Sequence, residues 1–195
     1  MVENNNQIIV KIHKPSIIEY LFFLLSGILI SIPFTIFFEE FANLICITLP
    51  LFAAQVCSVA VLTPFIEEFG KAYPLFYRHG ETRRSIFTLG LLTGLGFGIT
   101  EFFLYVFVYN TPFLIRLPGL FFHAANTSIV AYGLGIKKPL IFFLIAVFLH
   151  FSYNFFTMLG TSVWYVVDLF ILIYTYVLSY LLYKRTSETI INNVK

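Results

Sequence analysis

A chain of 195 residues with 59% hydrophobic, 19% aromatic and 11% charged residues lies far from the roughly 25% charged content of soluble domains. Its net charge of +2, without a basic stripe, gives no footing to a nucleic-acid partner. The apolar residues come in long uninterrupted blocks, which excludes an ordinary soluble domain and predicts an all-α, polytopic transmembrane bundle in a lipid bilayer.

Residues 1–16 read as a polar N-terminal tail, with Asn4-Asn5-Asn6-Gln7 followed by Lys11 and Lys14. The run Ile17–Phe38 that follows exceeds the roughly 7–15-residue apolar core of a cleaved signal, so an uncleaved first span is expected. Five more are expected at Pro50–Tyr77, Ile86–Tyr109, Phe113–Ile136, Pro139–Leu159 and Val163–Tyr183, each near the span length of about 20 residues. Residues 17–183 then form one transmembrane domain and residues 184–195 a C-terminal tail. No linker or repeat divides it. Cys46 and Cys57 would lie about 16 Å apart on a continuous helix, beyond the reach of a disulfide, and are expected as packing residues.

Basic residues set the orientation. They collect in the N-terminal tail, between spans two and three, between spans four and five, and after span six. Arg116 is the one exception among 12 lysines and arginines, and the opposite side begins with a loop carrying Glu39 and Glu40. The positive-inside rule then places both termini in the cytoplasm, with an even number of spans. A multi-pass protein of the cell membrane results.

Inside the spans, charge is rare and patterned. Thr63-Pro64-Phe65-Ile66-Glu67-Glu68-Phe69-Gly70-Lys71 puts two carboxylates and an ammonium at the end of an apolar run. A charge at a helix centre in a bilayer costs about 2.5–3.5 kcal/mol on insertion scales, so such residues are functional candidates. Lys71 is spaced to pair with either glutamate on a helix. Glu101 is the only charged residue between Ile86 and Ile115, and His123 and His150 stand alone in the same way between Leu117 and Ile136 and between Pro139 and Val167. Counted from the nearest basic anchors, Glu68, His150, His123 and Glu101 lie about 15, 18, 21 and 25 Å deep. Buried polar groups need partners, so one shared pocket is the economical arrangement. Gly94 and Gly98 share the face of Glu101, which marks that face for close helix packing. His123 has Thr127, and His150 has Asn154, one turn away.

These residues resemble a known pattern. Glu67-Glu68-x-x-Lys71, Gly94-x-Gly96-Phe97-x-x-x-Glu101, Phe122-His123-x-x-x-Thr127 and Leu149-His150-x-x-x-Asn154 resemble, in order, the motifs of the PrsW family of intramembrane proteases. They are similar, more distantly, to CAAX-prenyl endopeptidases, bacteriocin-processing enzymes and the APH subunit of gamma-secretase. Lys71 and Glu101 stand where the CAAX enzymes usually carry an arginine and a histidine. The resemblance implies an intramembrane endopeptidase acting on membrane-anchored protein substrates.

Amide hydrolysis needs an activated water, a stabilised oxyanion and a proton for the leaving nitrogen. Glu67 is expected to activate the water, with Glu68 or Glu101 as second carboxylate and Lys71 in support. His123 or His150, helped by Asn154, would face the oxyanion. Asp168, early in the sixth span, is expected at the interface rather than in a Ser/His/Asp set with Ser128 or Ser152. No cofactor is favoured outright. The double glutamate offers a metal-free route, and His123, His150 and Glu101 offer a zinc shell with an open position. A non-catalytic scaffold and a proton- or ion-coupled transporter are the alternative functions.

Overall fold

The computed structural model describes residues 13–77 and 82–186. Most of the N-terminal tail, Lys11, Arg78, Lys195 and most of the C-terminal tail lie outside the described residues. Six helices are long and apolar enough to cross a membrane: α1 Ile17–Cys46, α2 Leu51–Tyr77, α3 Arg83–Val108, α4 Phe113–Gly135, α5 Pro139–Leu159 and α6 Ser162–Arg185. No strand occurs among the described residues.

Local chemistry sets the helix ends. Ser16 caps α1 in a reciprocal capping box with Glu19, which satisfies orphan backbone donors. Thr82 caps α3 by accepting from Ser85 N. Pro139 opens α5, and Gly160 closes it in the left-handed conformation at φ 65°, where a side chain would be strained. The expected boundaries of α2 to α6 hold to within a few residues. The first span does not. It runs on to Cys46, so Glu39 and Glu40 belong to a helix and not to a loop.

Two prolines shape the interior. Pro33 and Pro64 each follow a π-helical stretch, Gly27–Ser31 and Val56–Leu62. Proline lacks an N–H and collides with the carbonyl four residues back, and a widened turn relieves both. One extra residue in a turn rotates the following face by about 100°. In α2 the stretch beyond Val56–Leu62 buries Glu67, Glu68 and Lys71 together.

The Cys46 and Cys57 expectation is corrected. They form a disulfide, with Cα atoms 5.8 Å apart. The chain turns back at Ile47–Pro50 between α1 and α2, so the two cysteines lie on neighbouring antiparallel helices and not on one continuous helix.

Helix α4 is the centre of the bundle, with 56% of its most apolar window buried against 28–33% in the others. It packs on α3, α5, α6 and α2, while α1 packs on α3 and α2. The glycines of α3 permit this. A Cβ at Gly96 would lie 1.9 Å from Leu24 O of α1, and one at Gly98 2.4 Å from Leu120 O of α4. Hydrogen bonds between helices supplement packing where lipid gives no hydrophobic drive. Ser31 Oγ donates to Gly70 O at 3.0 Å, and Asn126 Nδ2 donates to Ala146 O at 2.9 Å.

Candidate active site

The charged residues of the spans converge. Glu67, Glu68 and Lys71 come from α2, Glu101 from α3, His123 from α4 and His150 from α5. Lys71 and Glu68 are fully buried, and His123, His150 and Glu67 are 4%, 3% and 6% exposed. In a low-dielectric interior such groups persist only when mutually paired.

Lys71 is the hub. Its Nζ donates to Glu68 Oε1 at 2.6 Å and to Glu67 Oε2 at 3.4 Å. It stands 3.0 Å from His123 Nδ1 and 4.6 Å above the ring of Phe97. His123 Nε2 meets Glu101 Oε2 at 2.5 Å, and His150 Nδ1 meets Glu68 Oε1 at 2.8 Å. Each of these ring nitrogens faces a carboxylate and therefore carries the hydrogen, which fixes both tautomers by their partners. The opposite nitrogens, His123 Nδ1 and His150 Nε2, then present lone pairs. Both lie 3.8 Å from Glu67 Oε2.

Three electron-pair donors thus face one another. Glu67, His123 and His150 each offer a ligand atom, all within 4.8 Å. Tetrahedral zinc with bonds of about 2.0–2.1 Å holds its ligand atoms roughly 3.4 Å apart, so small side-chain movements would close this set. The outer carboxylates Glu101 and Glu68 sit where metal-ligating histidines usually find theirs. The donor set fits a zinc-class cation. It differs from the expected His123, His150 and Glu101, because both oxygens of Glu101 are engaged elsewhere: Oε2 by His123 and Oε1 by Arg116 Nη2 at 3.0 Å.

The donors border a cavity of about 570 Å³, whose wall includes Glu67, Glu101, His123, His150, Tyr153 and Asn154. Glu68 and Lys71 are not in that wall and stand behind it. Asn154 lines the cavity, but its Nδ2 donates to Val59 O at 3.0 Å, a carbonyl in the π-helical stretch of α2. Asp168 lies inside α6, buried, and accepts from Thr157 Oγ1 at 2.9 Å. It joins α6 to α5 and does not border the cavity.

Three charged residues of this cavity wall fall outside the site expected from sequence. Glu39 and Glu40, expected in a loop, line the wall instead. Arg116, expected only as the topological exception, also lines it, and its place apart from the other basic residues in the sequence is the available signal.

Helices suited to a membrane, with carboxylates and histidines converging on one cavity, supply the groups that can activate water, as an intramembrane hydrolase requires. The chain matches the model of the PrsW family of intramembrane metalloproteases over residues 16–182, and it belongs to that family. No curated protein and no solved structure matches it.

Proposed function

We propose that this chain is an intramembrane endopeptidase that hydrolyses peptide bonds of membrane-anchored proteins, with Glu67 as proton acceptor for the attacking water. The observation that carries this is the convergence of Glu67 Oε2, His123 Nδ1 and His150 Nε2 at the wall of one cavity. Of the three clustered glutamates, Glu67 alone borders the cavity without a short contact to an outer partner. Water delivers its oxygen to the scissile carbonyl carbon and its proton to Glu67. As the carbon–nitrogen bond breaks, the same proton passes to the leaving amine.

Glu67 through one oxygen, with His123 and His150, would hold a zinc-class cation, leaving its other oxygen as the proton acceptor, with Glu101 and Glu68 fixing the rings from outside. When bound, such a cation supplies Lewis-acid polarisation of oxygen in the reaction. The family description favours this over the metal-free route. The cavity, within the range of about 300–1,000 Å³ typical of ligand sites, mixes Ile32, Ile36, Tyr105 and Tyr153 with its carboxylates. That lining suits a short peptide stretch.

One observation favours a second reading. The Lys71 ammonium already stands 3.0 Å from His123 Nδ1 and 3.4 Å from Glu67 Oε2, and it supplies positive charge without a metal. Purified enzyme with a single-span substrate separates the two. Chelation should abolish cleavage and zinc should restore it, whereas full activity after exhaustive chelation establishes the ammonium route. Glu67→Gln and His150→Ala should each stop cleavage in a normally inserted protein. Near-wild-type cleavage by either would overturn the proposed site.

A further inference from the structure

Arg116 is set apart from the other basic residues by its place in the sequence. It lies at the end of the bundle where α1 and α3 finish and α2 and α4 begin, and the positional bias of membrane proteins works against a cation there. Its side chain is 16% exposed, and it pairs with Glu101, Nη2 to Oε1 at 3.0 Å. The guanidinium also lies 3.5 Å above the ring of Tyr105. Glu101 and Tyr105 are one turn apart on α3, so together they form a two-point seat for a planar cation. The other oxygen of Glu101 meets His123 Nε2. The chain of contacts runs Tyr105, Arg116, Glu101, His123, and it ends on a ring whose far nitrogen faces Glu67.

We infer that Arg116 is a positioning residue for His123, acting through Glu101. By holding one carboxylate oxygen, it turns the other toward His123 Nε2 and keeps the hydrogen on that nitrogen. Nδ1 is thereby left as a lone-pair donor, with Lys71 Nζ at 3.0 Å and Glu67 Oε2 at 3.8 Å before it. Lysine in its place would supply the charge but not the planar fork or the ring stacking. A role confined to stapling α3 to α4 would use the same Arg116–Glu101 pair but would not move the His123 tautomer, which the spectroscopy reads. The activity arm below rests on the proposed protease function; the spectroscopic arm does not.

The test uses full-length protein carrying Arg116→Gln, Arg116→Lys, Glu101→Gln and the Arg116→Gln/Glu101→Gln pair. The nitrogen shifts of 15N-labelled histidine, assigned with a His123→Asn reference, report which ring nitrogen carries the hydrogen. The wild type should show His123 as the Nε2–H tautomer, and Arg116→Gln should show a mixture. Arg116→Lys should lie between them. Loss of an outer-shell partner of a metal-ligating histidine lowers function about 10–100-fold, and Arg116 is one bond further out. Arg116→Gln should therefore lower kcat about tenfold with KM unchanged. Because Arg116 acts through Glu101, the double variant should be no slower than Glu101→Gln alone. An unchanged His123 tautomer in Arg116→Gln overturns the inference. So does a double variant slowed by the full product of the single effects, or a loss seen in KM alone. Should Arg116→Gln fail to fold, the same measurements on Arg116→Lys decide it. An inactive wild type with the expected tautomers would refute the protease function and leave the positioning role standing.

Discussion

A methyl group at Gly94 would measure how closely helix packing governs the site. A Cβ there would lie 2.3 Å from the carbonyl oxygen of His123 and 2.7 Å from Thr127 Oγ1, whereas ordinary contact begins at 3.4 Å. The nearest obstacle is backbone, which has no rotamer to yield, so α3 and α4 must part by roughly 1 Å at this level. His123 rides on that backbone, and Glu101 lies two turns along α3 from Gly94. Their 2.5 Å contact would stretch past hydrogen-bonding range. A misplacement of about 1 Å at a reacting centre lowers rate about 10²-fold, while overpacking costs about 1–3 kcal/mol of stability. The assay pairs cleavage of a single-span substrate with thermal unfolding in detergent. Gly135→Ala is the control, because its Cβ would meet Arg83 at an ordinary 3.5 Å, at the other end of α4 from the site. Gly94→Ala should lose about two orders of magnitude in rate and a measurable part of its unfolding midpoint, and Gly135→Ala neither. Wild-type rate and midpoint in Gly94→Ala would refute the packing argument.

Lys71→Gln strips the shared cation from fully buried Glu68, and breaking a buried pair costs about 3–5 kcal/mol; folded yield in detergent should fall sharply, and an unchanged yield would contradict the hub role. Oxidised protein should show no reactive thiol, and two after denaturation and reduction, since Cys46 and Cys57 are bonded. Closing so short a loop contributes about 3 kcal/mol in the chain-entropy account, so the Cys46→Ser/Cys57→Ser variant should unfold at lower temperature. Reporter tags after Lys14 and Lys184 should read cytoplasmic and a tag at Asn110 external; a cytoplasmic reading at Asn110 would break the orientation derived from the basic residues.

The apolar blocks made six helices legible, because hydrocarbon thickness sets span length and lone ionisable residues stand out against it. Glu67, Glu68, Lys71, Glu101, His123 and His150 could be grouped in advance for the same reason: each is too costly in lipid to stand alone. The glycine stripe of α3 also announced its close neighbours. What stayed hidden depended on turns and on choices between partners. The disulfide was invisible because only the return of the chain at Ile47–Pro50 brings Cys46 to Cys57. Glu39 was misassigned because α1 continues through an acidic pair that looks like a loop. The donor set expected from spacing takes Glu101 where the structure brings Glu67 toward the histidines, since spacing cannot tell which glutamate is held by Arg116.

The buried charges identify the residue on which catalysis should turn. Glu67, Glu68 and Glu101 are three carboxylates, and Lys71 and Arg116 are the cations beside them. With both histidines neutral, these three carboxyl groups face two cations, so one of them must take up a proton or meet a further cation. Glu68 has Lys71 at 2.6 Å and His150 at 2.8 Å, and Glu101 has Arg116 and His123. That one is Glu67, whose neighbours stand at 3.4 and 3.8 Å. An uncompensated buried charge is a strained state, of the kind stored at functional sites and relieved by ligand or proton. A proton taken from water and a divalent cation both answer it at this carboxylate. Glu67→Gln removes the deficit along with the base, so it should abolish cleavage while leaving the unfolding midpoint unchanged or higher. Glu68→Gln removes the short partner of Lys71 and of His150, so it should lower the midpoint. The reverse pattern, with Glu67→Gln destabilised and active and Glu68→Gln stable and inactive, would move the proton acceptor to Glu68.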